Sequence, residues 1–277
     1  MFLDGIWLRR KAVVLVAVAG GHVVGWHLAR SECAGAWAAL MMRMPPPKML
    51  VSDGSPGLAK AASAVWPETR VQRCTFHAAG QVKRCTTLRP KMEAGIELLG
   101  IANRLMGAKD ADSAVEWLLE YNAWCVKWAS FLKEFTVKDG KKAYTHERLR
   151  KARRSLSGLV REGTLFTFVE MQQEHGGEWP STNNAVESVN ARLRDTLRHH
   201  RGLPLMHRIK AIFWWCYMHT ENPLPPAEII RVMPTDDDVA GLFAAASPGK
   251  RRNDGAPEEY GAGIIWNEFH MPTDYRQ

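Results

Sequence analysis

FLDGIWLRRKAVVLVAVAGGHVVGWHLA, residues 2–29, decides how the chain begins to fold. It holds three apolar runs of strand length, at 2–9, 12–18 and 22–29, rich in β-branched and aromatic residues. Gly20–Gly21 separates the second from the third, a hairpin turn signal. One carboxylate interrupts the first run: Asp4. Burying it there is costly unless a cation or hydrogen bonds meet it, whereas at a strand edge it would simply face water.

Working outward, a helix is expected at about 32–44, stopped by Pro45–Pro47. KMLVSD then reads as a short buried strand ending at Asp53, followed by a turn through Gly54–Gly57 and a helix at about 57–65. RVQRCTF, residues 70–76, reads as a fifth strand. Three strands and then helix–strand–helix–strand describe a mixed α/β sheet with helices packed on it. Functional groups in such sheets gather where strands end, which is where Asp53 falls, although Ser-Asp-Gly is also a common turn.

From about 78 to 180 the pattern turns helical. Trp117, Tyr121, Trp124, Trp128 and Phe131 follow one another at helical spacing and read as the core face of an amphipathic helix rather than a base-stacking platform. A helix at about 146–161 sets Leu149, Ala152, Leu156 and Leu159 on one side and Arg148, Arg150, Lys151, Arg153 and Arg154 elsewhere. STNN at 181–184 is a helix start, and the helix it opens carries Glu187 in its first turns. A carboxylate there can also do no more than answer the helix dipole. Val186, Val189, Leu193 and Leu197 run along one side of that helix, with Arg192, Arg194 and Arg198 elsewhere. An apolar helix at 204–220 follows. Beyond Asn222 the chain reads as a loosely held tail, with GIIWNEF (263–269) a candidate docking strand.

Composition narrows the function classes. The 277 residues are 46% hydrophobic, enough for one large core or two modest ones, and carry a net charge of +8, which suits a polyanionic partner. Five cysteines without a CxxC pair predict a reduced protein with no disulfide framework. No run approaches the roughly 20 apolar residues of a membrane span, and no leader precedes a cleavage site, so a soluble cytoplasmic protein is expected. Cys74 and His77, in RCTFH, are too few for a zinc site.

Strand acid, strand-end acid, Cys-x-x-His, helical stretch and Asn-Asn-x-x-Glu on a basic helix occur here in one order. In that order the chain resembles the mutator-type (MULE-like) transposases of bacterial insertion sequences, over about residues 1–220. TNNAVESVNARLR is the most specific part of the likeness. The resemblance implies a ribonuclease H-like mixed sheet flanked by helices and interrupted by an all-α insertion. On that reading residues 1–84 are the first part of the catalytic core and 85–180 the insertion. The core's second part is 181–222, and 223–277 is the tail. It further implies catalytic, metal-binding acids at Asp4, Asp53 and Glu187, with Cys74, His77, Asn183 and Asn184 as family-motif positions. The cofactor implied is Mg²⁺ or Mn²⁺, two ions, clamping the attacking and leaving oxygens of a phosphodiester.

DNA is the implied partner, as transposon ends and as target, with Arg192, Arg194, Arg198, Arg150, Arg153 and Arg154 as candidate phosphate contacts. A homodimer or larger assembly on DNA and association with the bacterial nucleoid are expected. The resemblance implies DNA-binding elements ahead of the first Asp, so Asp4 at position four leads to the expectation of a fragment, a mis-started reading frame or a decayed element. A non-catalytic DNA-binding remnant and a ribonuclease H-like nuclease are the alternatives.

Overall fold

The computed structural model describes residues 1–138 and 140–246. Two compact units divide the chain: Met1–Arg70 with Asn183–Gln277, and Val71–Thr182. The predicted strand GIIWNEF lies outside the described residues.

The first unit starts as a meander. β1 (Phe2–Leu8) pairs antiparallel with β2 (Ala12–Ala19), and β2 pairs antiparallel with β3 (His22–Ala29). Gly20 and Gly21 make the second turn with φ of 59° and 84°, the left-handed pair that a tight hairpin wants. The first turn reaches the same region without glycine, with Arg9 at 49° and Arg10 at 56°. β4 (Met49–Ser52) then joins β1 in parallel, Phe2 opposite Val51, so the sheet is mixed. With β5 (Arg70–Arg73) the order is β3-β2-β1-β4-β5. The strand predicted over 70–76 is therefore shorter: helix begins at Thr75.

Side-chain alternation along the strands separates two cores. Ile6, Leu8, Val14, Val16 and Val18 meet α8 (Asn184–His199) and α9 (Leu205–Met218). Leu3, Val13, Leu15 and Ala17 meet α1 (Ala34–Met41) and α2 (Pro56–Val65). Covered on both sides, β2 is buried from Ala12 to Val18, which is why its sequence is continuously apolar instead of alternating. The stripe predicted on α8 (Val186, Val189, Leu193, Leu197) is buried throughout. Each such side chain contributes roughly 1.5–3 kcal/mol of burial free energy.

Residues 223–246 are more ordered than the loosely held tail expected over 223–277. α10 (Pro226–Val232) and α11 (Asp236–Ala245) follow, and Ile229 and Val239 are fully buried. Thr235 caps α11 in a reciprocal box with Asp238, and Arg30 stacks on Phe243 at 3.7 Å while donating to its carbonyl. Within 223–246, Pro and charge mark turns and helix caps.

The second unit is built around α3 (Thr75–Thr86), α4 (Glu93–Arg104), α5 (Ala111–Lys127), α6 (Glu147–Arg161) and α7 (Thr167–His175). Trp117, Tyr121 and Trp124 are buried on α5, and each indole nitrogen donates to a carbonyl, Ile101 and Ala94 respectively. They are core, as expected from their spacing. Gln72 is fully buried, donating to the carbonyls of Arg73 and Leu165 and accepting from Phe168 N–H. The expectation of an all-α insertion needs correction. β6 (Phe135–Lys138) and β7 (Lys141–Tyr144) form an antiparallel two-stranded ribbon between α5 and α6. β-branched and aromatic residues within FTVK and KKAY carry it, in runs too short to register as strands against a helical background.

Candidate active site

Asp4, Asp53 and Glu187 all belong to the first unit. Asp4 lies on β1, a central strand, on the face that packs against α8. Its Oδ1 accepts the Gly5 N–H at 2.8 Å, and its Oδ2 accepts the Asn190 side-chain amide at 2.5 Å. Asp53 follows β4 directly, and because β4 lies beside β1 the two acids fall on neighbouring strands. Asp53 Oδ1 accepts Ser55 N–H at 2.8 Å, fixing the turn into α2. The turn reading of Asp53 is met, and the same geometry leaves it at the end of the strand beside β1.

α8 supplies the rest. Glu187, Asn190 and Arg194 are spaced at i, i+3 and i+7, one stripe of the helix, next to the buried apolar stripe. Because that apolar stripe faces the sheet, the polar one runs along its margin, and Asn190 reaches Asp4 from it. Asn183 occupies the N-cap position and is buried, without a side-chain bond to the helix amides; Asn184 opens the helix, exposed. The cap predicted from STNN is thus positional only.

The electrostatics are those of crowded carboxylates. Burial, and then the charge of Asp53, push Asp4 up to about 7; the Gly5 N–H, Arg194 and Asn190 pull the other way. Glu187 is raised by burial, held down by Arg194, and raised again by Asp53. Arg194, read from sequence as a phosphate contact, therefore acts on the acids themselves. Arg192 and Arg198 are exposed further round the helix, Arg198 in a long pair with Asp195 at 3.9 Å.

A fourth acid joins them that the sequence reading missed. Glu32, between β3 and α1, accepts the Trp7 indole N–H at 2.7 Å, and burial, Asp4 and Asp53 together raise its carboxyl to about 8. Its only sequence signal was a lone Glu between a strand and a helix, in ARSECAG, which resembles any loop acid.

The remaining predicted positions lie in the second unit. Cys74 is fully buried at the start of α3 and His77 is buried in its first turn. The Thr75 N–H donates to the Ser181 carbonyl at 3.0 Å, tying α3 to the end of the same unit. On α6, Arg150 is spent locally, donating to the Leu132 carbonyl and lying over Tyr144 at 3.4 Å. Arg153 is half-buried and Arg154 exposed.

Carboxylate and amide oxygens are hard donors, and the set around Asp4 fits a hard divalent cation by donor type and by charge. Among the described residues no three His, Cys, Asp or Glu side chains close into a ready-made cage.

No helix among the described residues is long and apolar enough to cross a membrane. No curated protein matches the chain. The profile of the family described as "Transposase, Mutator family" matches residues 10–212, which include Asp53, Cys74, His77 and Glu187 and begin after Asp4. With nearly three quarters of its length matched, and the strand-end acid and the helical acid both inside the match, the chain belongs to the Mutator family of transposases.

Proposed function

We propose that the chain is the catalytic core of a transposase with a ribonuclease H-like fold, cutting DNA and joining it to a target through Asp4, Asp53 and Glu187. The observation that carries the reading is that the charge of Asp53, at the end of β4, acts on both Asp4 on the adjacent strand and Glu187 on α8. The mixed sheet order, with one acid on a central strand and the next at the end of its parallel neighbour, supports the fold assignment.

Asp4, Asp53 and Glu187 would hold Mg²⁺ or Mn²⁺. When bound, such ions lower the pKa of the attacking hydroxyl and offset charge on the phosphate and the departing 3′ oxygen. The protein's own part is positioning, as expected where phosphoryl transfer needs no protein nucleophile. Gly5 N–H and the Asn190 amide hold the Asp4 carboxylate in one orientation. Ser55 N–H holds Asp53. Arg194 limits the repulsion felt by Asp4 and Glu187, and its guanidinium would meet a phosphate oxygen. Water serves as nucleophile in cleavage, and the freed 3′-OH in strand transfer at the same acids.

The test is cleavage and joining of labelled duplex DNA with Mg²⁺ or Mn²⁺, comparing the intact chain with Asp53→Asn and Glu187→Gln. Each isosteric change should remove at least 100-fold of the activity while circular dichroism stays unaltered, since each removes charge from the reacting centre. Metal-dependent joining that survives in both folded variants overturns the assignment.

A further inference from the structure

We propose that Glu32 is a fourth carboxylate of the acidic centre, built in to hold divalent cations together with Asp4, Asp53 and Glu187. The inference rests on the proposed function and extends it to a residue that neither sequence pattern nor family match singled out.

Two glycines make the room that Glu32 occupies. Gly5 follows Asp4 on β1, and a methyl group there would fall on Glu32 Oε1 and crowd Val13. Gly57 is the second residue of α2, the helix that follows the Asp53 turn, and a methyl group there would strike the Glu32 backbone carbonyl. Trp7, two residues beyond Gly5 on the same face of β1, fixes the carboxylate through its indole N–H at 2.7 Å. Backbone and side chain of Glu32 are thus both located, the side chain against the residue that follows Asp4 and the backbone against α2. A solvated loop glutamate needs none of these provisions.

The location is electrostatically adverse without a counter-ion. Asp4 and Asp53 both act on Glu32, and the cation that acts on Asp4 and Glu187 is the guanidinium of Arg194. Once all four carboxyls ionise, their charge exceeds that of the guanidinium, an excess that two divalent ions would offset. A separate observation points the same way. Asn190 is fully buried with its amide turned to Asp4, and its Oδ1 meets no hydrogen-bond donor among the described residues. A buried oxygen acceptor left in this way costs free energy that a cation or a cation's hydration shell recovers.

The experiment titrates Mn²⁺ into the intact chain, with and without duplex DNA, following both heat of binding and the thermal midpoint. It compares wild type, Glu32→Gln, Trp7→Phe and Asp53→Asn. Glutamine keeps the oxygen that accepts from Trp7 and loses only the charge. Glu32→Gln should weaken Mn²⁺ binding about 10-fold, with an unchanged or higher midpoint in metal-free buffer. Trp7→Phe, which frees the carboxylate without removing it, should shift affinity the same way by a smaller factor. If Asp53→Asn weakens binding and Glu32→Gln does not, Glu32 is merely the hydrogen-bond partner of Trp7, and the transposase reading stands without it. If Mn²⁺ fails to bind wild type even with DNA, the cation assignment falls and this inference with it.

Discussion

At Asp4 one side chain records the character of the whole site. Its carboxyl is pushed to about 7 by burial and by Asp53, and Glu32 to about 8 by burial, Asp4 and Asp53. A carboxyl raised on folding keeps a proton that the unfolded chain has released, so folding stability falls as pH rises. The loss starts above the ordinary carboxylate values and is complete once pH passes about 7 for Asp4 and about 8 for Glu32. The metal-free protein should therefore lose thermal stability between pH 5 and pH 8, and Asp4→Asn should flatten that decline. A decline equally steep in Asp4→Asn, measured by calorimetry, would show that the stress on this residue is not what drives it. Saturating Mn²⁺ should reverse the trend, because cation binding selects the ionised acids.

Among the elements, the β1–β2 hairpin carries an avoidable strain. Arg9 and Arg10 both sit at positive φ, where an L side chain costs roughly 1–2 kcal/mol. Gly20–Gly21 handles the next turn without that cost. Arg9→Gly should stabilise the protein by about 0.5–1 kcal/mol, less than the full strain because glycine also loosens the unfolded chain. Denaturant midpoints at constant slope would measure it, and a lower midpoint would mean that the Arg9 side chain is worth more than the strain. The helix carrying Glu187 illustrates the opposite case, where local pattern and tertiary role agree. One stripe of α8 is apolar and buried and the adjacent stripe holds Glu187, Asn190 and Arg194, so packing the helix aims the polar residues without further help.

Taken whole, the chain has a net charge of +8, and its family acts on DNA. Binding to duplex of arbitrary sequence should weaken steeply with salt, because each phosphate that the protein neutralises releases counterions. Arg154, Arg192 and Arg198 are exposed and free of the site's internal charge balance, unlike Arg194. Replacing the three with Glu should reduce the slope of log affinity against log salt by about one for each phosphate no longer neutralised. An unchanged slope would move the DNA track elsewhere on the molecule.

Sequence alone determined the strand and helix order from residue 2 to residue 73 to within a few positions. Hydrophobic period is set locally, and glycine and proline punctuate it at Gly20–Gly21 and Pro45–Pro47. Taken singly Asp4, Asp53 and Glu187 read as a strand-edge acid, a turn acid and a helix-start acid; their order along the chain, through the resemblance to mutator-type transposases, is what singled them out. The ribbon Phe135–Tyr144 and the docked helices after Asn222 escaped it. Short segments have too few residues for a period, and what orders α10 and α11 is burial of Ile229 and Val239 against distant parts of the chain. Glu32 was beyond its reach for the same reason. Nothing in ARSECAG distinguishes that glutamate until folding closes Gly5, Trp7 and Gly57 around it. The order of motifs named three acids; only tertiary packing, which brings together residues far apart in the chain, set the charge environment of Asp4 and Glu187 and brought Glu32 against Gly5 and Trp7.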